Sequence, residues 1–411
     1  MFSLGRLLNV RPGEGGPVAA LFVLSLALGL GLAAIEIAVD TELLAGTTPS
    51  ALPWAHIAVS VAVFLGGALL AGLRAWLPAA AFLGGPLGVI GLAALLCVPL
   101  IDEAPGVVTL LALYAGHHVL VAFAVVAFWS LAARALDVEQ SRRLYGLVSA
   151  GELVAVLLVG LAAAPLQRAL ELPALLGWAL ALLVASALTM LAWARRVAVD
   201  GPADRVVAAP PEAAASPAER RHITRLVAYY CGYNVTYHLI EFTLFVAVQG
   251  AHPGQPEAIA GTLGALAIAR IGLGVVVRLF LTGRLLARVG VGVGLVSTPV
   301  VVLGVAGLAL GLSPLAAAIA LSTSESATRS GLGKPAVMAA QRPLSAAPRE
   351  RVLIAVETFV EPATTGLAGA CLLMLPATWL SGPALLFIPT PIAALWLLAA
   401  RALARSYRRL T

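Results

Sequence analysis

Long apolar runs dominate this chain and constrain its fold more than any other feature. Apolar residues make up 61% of the 411 residues and charged residues only 11%, a composition that excludes an ordinary soluble globular domain. A transmembrane helix needs about 20 mainly apolar residues. Runs of this kind predict about 12 such helices, roughly at 17–44, 53–73, 78–100, 105–134, 144–165, 173–194, 223–249, 259–282, 291–311, 314–333, 350–376 and 383–400. The sequence therefore predicts an all-α polytopic membrane protein.

Basic residues are distributed very unevenly among the loops between these helices. With the N-terminus in the cytoplasm, Arg168 is the one basic residue in an outside loop, and Arg270, Arg278 and Arg329 lie within helices. All other Lys and Arg residues, of 26 in total, fall in inside segments. This asymmetry follows the positive-inside rule and predicts a multi-pass protein of the cell (inner) membrane with both termini cytoplasmic. The net charge of +6 suits an anionic lipid surface, and no nucleic-acid partner is expected.

A polar, proline-rich stretch divides the chain near its middle. Residues 195–222 have the composition of a flexible linker, which the charge pattern assigns to the cytoplasm. The sequence thus predicts an N-terminal six-helix bundle at 1–194 and a C-terminal six-helix bundle at 223–411.

Short internal similarities suggest that the two halves are related by duplication. Ile35-Glu36 in the first predicted helix recurs as Ile240-Glu241 in the seventh. The interval from Glu152 to Gly160 is also the interval from Glu361 to Gly369. Two pseudo-symmetric six-helix bundles joined by an inside linker match the architecture of the major facilitator superfamily.

Several motifs, in order along the chain, resemble the nucleotide translocase-like (ATP/ADP antiporter-type) carriers. They are Val10-Arg11-Pro12-Gly13-Glu14-Gly15, Phe128-Trp129, Asp137, Arg142-Arg143-Leu144-Tyr145-Gly146-Leu147, Ala150-Gly151, Leu239-Ile240-Glu241, Pro335 and Pro343-Leu344. This resemblance implies a carrier fold and a transport function.

The same resemblance argues against ATP/ADP exchange. Members of that family that exchange nucleotides carry a basic residue late in the first helix and an acidic residue in the fourth. Here the charged residues at the end of the first helix are all acidic, and His117 occupies the fourth-helix position. Glu241 matches the family's acidic residue in the seventh helix, whereas Val337 stands where the family has a lysine.

Carboxylates and arginines within the apolar spans are the candidate functional residues, because a charge at bilayer depth is costly unless it faces a wet cavity or a partner. Burial favours the protonated form of a carboxyl, so Glu36, Glu241 and Glu325 are predicted to couple transport to protons. The alternative is a structural ion pair with Arg270 or Arg329. Glu325 and Arg329 have the i,i+4 spacing of such a pair.

Solute contact and gating are assigned to other polar residues. The predicted solute-binding residues are Asp40, His117, His118, His238, Arg270 and Arg329. A wet outer-end position for Asp40 and a packed, hydrogen-bonded role for His117 and His118 remain open. The predicted inner gate pairs acidic residues with basic loops, and it consists of Glu152, Glu357, Glu361, Arg142 and Arg143.

These patterns predict a secondary transporter that moves a small solute by alternating access, and not an enzyme. A nucleotide or phosphorylated-metabolite exchanger and a membrane sensor or enzyme on a carrier scaffold are the alternatives. No cofactor or metal site is expected, because the chain has no phosphate-binding loop and no zinc motif. Its partners are expected to be the solute and the lipid bilayer, and a monomer is favoured.

Overall fold

The computed structural model describes residues 10–102, 105–136, 138–200, 216–277, 283–345, 348–349, 352, 355–376 and 383–410. Within these ranges the chain forms helices and turns and no strand. The helices are α1 Gly15–Gly46, α2 Leu52–Trp76, α3 Ala79–Phe82, α4 Gly85–Cys97, α5 Val107–Ala135, α6 Val138–Ala169, α7 Leu172–Asp200, α8 Pro217–Ala251, α9 Pro256–Val276, α10 Gly283–Leu308, α11 Pro314–Thr328, α12 Lys334–Ala340, α13 Glu361–Leu373 and α14 Thr390–Leu410. Short 3-10 turns and two π-helical turns connect several of them.

Eight helices in this part of the chain have the length and apolar composition needed to cross a membrane. They are Gly15–Gly46, Pro49–Leu73, Val107–Ala135, Leu147–Ala169, Leu172–Arg196, Pro256–Val275, Gly290–Leu308 and Ala384–Leu410. The other four expected spans are also helical, but they are shorter, interrupted or more polar. They correspond to α4, α8, α11 with α12, and α13. Three of these four carry the ionisable residues singled out above.

Two segments of the predicted topology are only partly described. Most of the linker 195–222 lies outside the described residues, although α7 continues to Asp200 and α8 begins at Pro217. Arg278 also lies outside them. The bundle boundaries at 194 and 223 therefore stay a prediction.

The chain separates into two compact units, and each draws a piece from the other half of the sequence. Unit 1 comprises Met1–Gly46, Leu65–Arg205 and Pro256–Ala267; unit 2 comprises Thr47–Phe64, Val206–Gln255 and Ile268–Thr411. In unit 1, α1 is central and packs against α5, α6 and α7. Its buried face holds Leu21, Leu24 and Leu28.

Unit 2 is organised around α8, which packs against α11, α13 and α14. Its apolar core includes Tyr229, Trp396 and Leu403, all nearly inaccessible. Gly232 permits the close approach of α8 and α14, because a Cβ at this position would lie 2.8 Å from the Cβ of Trp396.

Hydrogen bonds fix the start of α8 outside the apolar spans. Ser216 caps the helix by accepting a bond from the Glu219 backbone N–H at 3.2 Å. The exposed Glu219 carboxylate accepts bonds from the backbone N–H and the hydroxyl of Ser345, at 3.0 and 2.8 Å, and from the Ser216 backbone N–H. These bonds stabilise the ionised form and lower the pKa of Glu219 to about 2.

Glycine packing in unit 1 generates a testable prediction. A Cβ on Gly29 of α1 would lie 2.8 Å from the Cβ of Ala155 and 3.0 Å from the Cα of Glu152 on α6. Gly29→Ala is therefore expected to destabilise the protein by about 1–3 kcal/mol through overpacking, seen as a lower unfolding temperature in detergent. Gly67→Ala is the matched control, since a Cβ there meets open space. Equal unfolding temperatures for the two variants would contradict the close α1–α6 contact.

Candidate functional site

A cavity of about 230 Å³ lies within unit 2. Four aromatic side chains and five polar or charged ones line it, together with Gly333, Val337, Met338 and Val356. The aromatic residues are Tyr229, Tyr230, Tyr233 and Trp396; the polar and charged residues are Asn234, Thr298, Arg329, Lys334 and Glu361. The cavity thus combines flat ring surfaces with hydrogen-bond donors.

The spacing of residues on α8 explains why so many rings face this cavity. Tyr229, Tyr233 and Tyr237 follow one another at intervals of four residues and are followed at the same interval by Glu241. Side chains four residues apart lie on the same face of an α-helix. The rings of Tyr229 and Tyr233 pack against Trp396 of α14, with centroids 5.7 and 5.8 Å apart.

A buried ion pair lies at one side of the cavity. Arg329 donates one hydrogen bond from Nε to Glu325 Oε1 at 2.9 Å, and another from Nη1 to the Tyr233 hydroxyl oxygen at 3.3 Å. Its guanidinium also lies over the Tyr237 ring, 4.9 Å from the centroid. Glu325 is only 3% exposed, and an uncompensated charge at such a site would be costly. The expected i,i+4 pair is therefore present, and its arginine also reaches the cavity.

Two π-helical turns adjoin the same cavity. One spans Arg329–Gly333 between α11 and α12, and the other spans Val356–Val360 before α13. π-Turns are uncommon and frequently occur at functional sites, because they redirect side chains within a helix. Here they direct Arg329 and Val356 toward the cavity wall.

A second polar group in unit 2 consists of His56, His238 and Glu241. Their potential ligand atoms lie within 4.8 Å of one another. His238 Nδ1 lies 3.3 Å from Glu241 Oε2, and its Nε2 lies 2.8 Å from the Thr365 hydroxyl. The Tyr237 hydroxyl donates to Glu241 Oε1 at 3.3 Å. His56 is nearly inaccessible, and its ring meets that of His238 at a centroid distance of 5.3 Å.

Glycines on α13 explain how His56 of α2 reaches this group. A Cβ on Gly369 would lie 2.7 Å from the Pro53 carbonyl oxygen and 3.2 Å from the His56 Cβ. A Cβ on Gly366 would lie 2.6 Å from Ser60 Oγ. The Ser60 hydroxyl in turn donates to the Pro362 carbonyl at 2.7 Å. Because Gly366 and Gly369 have no side chains, the first half of α2 can lie close against α13.

Unit 1 contains a smaller cavity of about 130 Å³. Two carboxylates, Glu36 of α1 and Glu152 of α6, line it together with Ser25, Phe128 and Trp129. The side chains of both glutamates are exposed, and the Glu152 backbone N–H donates to Ser25 Oγ at 3.1 Å. One residue predicted to couple protons and one predicted to form a gate therefore share a cavity.

Other predicted site residues lie away from the two cavities. Asp40 is buried, at 9% exposure, rather than wet. His117 is buried with no hydrogen-bond partner for Nδ1 among the described residues, whereas Nδ1 of His118 bonds the Tyr114 carbonyl oxygen at 2.9 Å. Arg270 donates a hydrogen bond from its guanidinium Nη2 to the Ser322 hydroxyl oxygen. The hydrogen-bonded packing considered for the histidines thus fits His118 better than His117.

The structure describes the side chains of only some of the predicted gating residues. Glu361 lines the unit 2 cavity and Glu152 the unit 1 cavity. The side chains of Arg142, Arg143 and Glu357 lie outside the described part of the structure. The pairing of acidic residues with the basic loops stays a prediction.

Sequence reasoning missed His56 and the tyrosines of α8. A signal for the tyrosines was present, since their four-residue repeat leads directly to Glu241. Nothing in the sequence marks His56, because it meets His238 only through the packing of α2 against α13. The same packing brings Thr365 to His238.

Comparison with solved structures relates the whole chain to membrane transporters. A bacterial homologue of the iron transporter ferroportin, in an inward-facing state, superposes with a TM-score of 0.65 at 15% identity, covering 95% of this chain and 98% of its own. The nucleoside transporter NupG gives 0.63 at 11% identity, with 96% and 99% coverage. A D-xylose–proton symporter gives 0.56 at 13% identity, with 92% and 96% coverage.

Sequence comparison gives no relative. No protein-family model matches the chain, and no curated protein matches it. At such low identities the structural matches establish the fold alone. The fold-class prediction is confirmed: this is an all-α polytopic membrane protein that shares the fold of these solved structures.

The ion pair of unit 2 yields a stability prediction. Glu325→Gln leaves the Arg329 guanidinium buried without its carboxylate, which is expected to cost about 3–5 kcal/mol and to lower the unfolding temperature in detergent. The double variant Glu325→Gln/Arg329→Gln removes both charges and should recover part of that loss. A single variant as stable as the wild type, with no coupling in the double-mutant cycle, would contradict a structural role for the pair.

Proposed function

We propose that this chain is a secondary active transporter of the cell membrane that moves a small solute by alternating access. The observation that carries this proposal is the cavity of unit 2, where cationic and aromatic side chains meet inside a bundle of apolar helices. A buried guanidinium is retained in such surroundings at considerable cost. The proposal is further supported by a fold shared along almost the whole chain with a bacterial homologue of the iron transporter ferroportin, a nucleoside transporter and a D-xylose–proton symporter.

The chemistry of the cavity favours a solute with a flat ring and a group that accepts hydrogen bonds. Tyr229, Tyr230 and Tyr233 offer ring faces, while Arg329 and Lys334 offer donors. Thr298 adds a buried hydroxyl that has no hydrogen-bond partner among the described residues. Because a buried polar atom without a partner is costly, a solute that bonds Thr298 would recover that energy. A volume of about 230 Å³ limits the bound portion to metabolite size.

Proton coupling is assigned to carboxyls within the apolar helices, as the sequence predicts. Protonation of Glu325 would remove the negative charge that holds Arg329, and so would change the donors facing the cavity. Glu36, beside Glu152 in the unit 1 cavity, is the second candidate, because two carboxylates in one small cavity attract a cation. The suggestion that Glu241 also takes up protons stays a prediction.

The topology supports a definite orientation in the membrane. Basic residues are concentrated in the segments that the positive-inside rule assigns to the cytoplasm. We therefore place both termini and the 195–222 linker on the cytoplasmic side. No enzymatic activity is proposed, and a sensor or enzyme on a carrier scaffold has no supporting observation in this structure.

A nucleotide or phosphorylated-metabolite exchanger is the second candidate function. The motif resemblance and the two cationic residues of the cavity, Arg329 and Lys334, favour it. Against it stands the end of α1, where Glu36, Asp40 and Glu42 occupy a region that carries a basic residue in nucleotide exchangers.

A binding screen tests the solute class. Purified protein is heated with nucleosides, aromatic carboxylates or nucleotides, and a ligand is recognised by a higher unfolding temperature. Arg329→Gln is expected to weaken binding of an accepted ligand about tenfold or more, since it removes a charged hydrogen bond. The control, Arg168→Gln, removes an arginine of an exposed ion pair and should bind normally. Preference for nucleotides over the other classes would support the exchanger, while equal loss in both variants would contradict the assigned cavity.

Uptake of a ligand into proteoliposomes tests whether transport is coupled to protons. A radiolabelled ligand from the screen is expected to accumulate faster under an imposed pH gradient than without one. In the Glu325→Gln variant the response to the gradient should disappear, because the amide cannot exchange a proton. Glu257→Gln, which alters an exposed carboxylate, should retain it. Wild-type uptake that is indifferent to the gradient would refute the coupling.

A further inference from the structure

We propose that His56, His238 and Glu241 form a binding site for a divalent transition-metal ion such as Zn²⁺. This site goes beyond the proposed solute transport and does not depend on it. Two imidazoles and one carboxylate are a donor set that such ions prefer. All three residues belong to unit 2, and their ligand atoms already lie within 4.8 Å of one another.

Hydrogen-bond directions around His238 show which of its ring nitrogens is available to a metal ion. The Thr365 hydroxyl has one hydrogen, and it donates that hydrogen to the Glu361 carbonyl oxygen at 2.9 Å. In its contact with His238, at 2.8 Å, Thr365 must therefore accept, so that Nε2 of His238 carries the hydrogen. A neutral His238 then presents the lone pair of Nδ1.

That lone pair faces a second acceptor. Glu241 Oε2 lies 3.3 Å from His238 Nδ1, and a carboxylate has no hydrogen to share. Two acceptors at this distance repel each other unless a positive charge lies between or beside them. A metal ion bound by both atoms would lie between them, and the Nδ1 atom of a neutral imidazole is a suitable ligand.

His56 completes a three-residue ligand set. Its ring is nearly inaccessible, at 2% exposure, and the side chains of His238 and Glu241 are 12% and 16% exposed. A metal ion holds nitrogen and oxygen ligands at about 2.0–2.2 Å, so the ligand atoms must approach each other by roughly 1 Å or more on binding.

The surroundings have the features of a supported metal site. Metal-bound histidines usually donate their other ring N–H to a fixed acceptor, which orients the ring; Thr365 is that acceptor for His238. The Tyr237 hydroxyl similarly holds Glu241 Oε1. Three protein ligands leave one coordination position open, where water or a transported ligand can bind.

The packing of α13 against α2 makes the site specific to the folded protein. Gly366 and Gly369 bring the backbone of α13 close to Pro53 and Ser60 of α2, and Thr365 lies on the same helix. Consequently the site forms only when α2, α8 and α13 are assembled.

Metal titration of the full-length protein in detergent tests the proposal. Isothermal calorimetry with ZnCl₂ is expected to report one specific site, and Co²⁺ loading should give the absorption of a nitrogen- and oxygen-ligated ion. His56→Gln and Glu241→Gln should each weaken Zn²⁺ binding at least tenfold. Thr365→Val, which keeps the ligands but removes the acceptor for Nε2, should weaken it about 10–100-fold.

The matched control is His252→Gln, which removes an imidazole at the end of α8, outside the cluster. It should bind Zn²⁺ like the wild type. The proposal is overturned if wild-type protein binds no Zn²⁺, or if His252→Gln loses as much affinity as His56→Gln. Should the cluster variants fail to fold, X-ray absorption spectroscopy of the Zn²⁺-loaded wild type identifies the ligands of the ion. Two imidazoles and oxygen support the site, whereas sulfur or fewer imidazoles refute it.

Discussion

The cost of placing ionisable side chains among apolar helices underlies the rest of this structure. A charge in such surroundings persists only with a partner or access to a polar cavity. Unit 2 provides both: Glu325 holds Arg329 at 2.9 Å, and the same arginine reaches the cavity and two tyrosines. In unit 1, Glu36 and Glu152 share a cavity. The polar residues thus mark where the helices leave a cavity between them.

Close helix packing is the complementary constraint, and it follows a similar pattern in the two units. In unit 1, Gly160 of α6 lies against Gly264 of α9; in unit 2, Gly369 of α13 lies against Pro53 of α2. The interval from Glu152 to Gly160 equals that from Glu361 to Gly369. Each helix therefore carries a carboxylate at a cavity and, two turns later, a glycine at a close helix contact. This correspondence gives the short sequence similarity between the halves a structural meaning.

Part of the candidate site could be read from the sequence, because helical spacing is local. The i,i+4 relation of Glu325 and Arg329 and the i,i+3 relation of His238 and Glu241 both correspond to real contacts. Contacts between helices could not be read in this way. For Asp40, predicted to bind solute, the sequence leaves a wet position near a helix end open, yet the residue is buried, since its environment depends on neighbouring helices. The grouping of His56 with His238 and Thr365 likewise depends on which helices are neighbours.

The sequence by itself determined the class of fold and the inventory of polar residues available to a site. Apolar runs of spanning length and the uneven distribution of arginines suffice for that, because both reflect transfer between water and lipid. Tertiary structure alone decided which of these residues meet. Membrane helices associate through small residues and shape rather than through a hydrophobic pattern, so glycines such as Gly232 and Gly369 select the partners. That selection forms the tyrosine-lined cavity and brings His56 to His238.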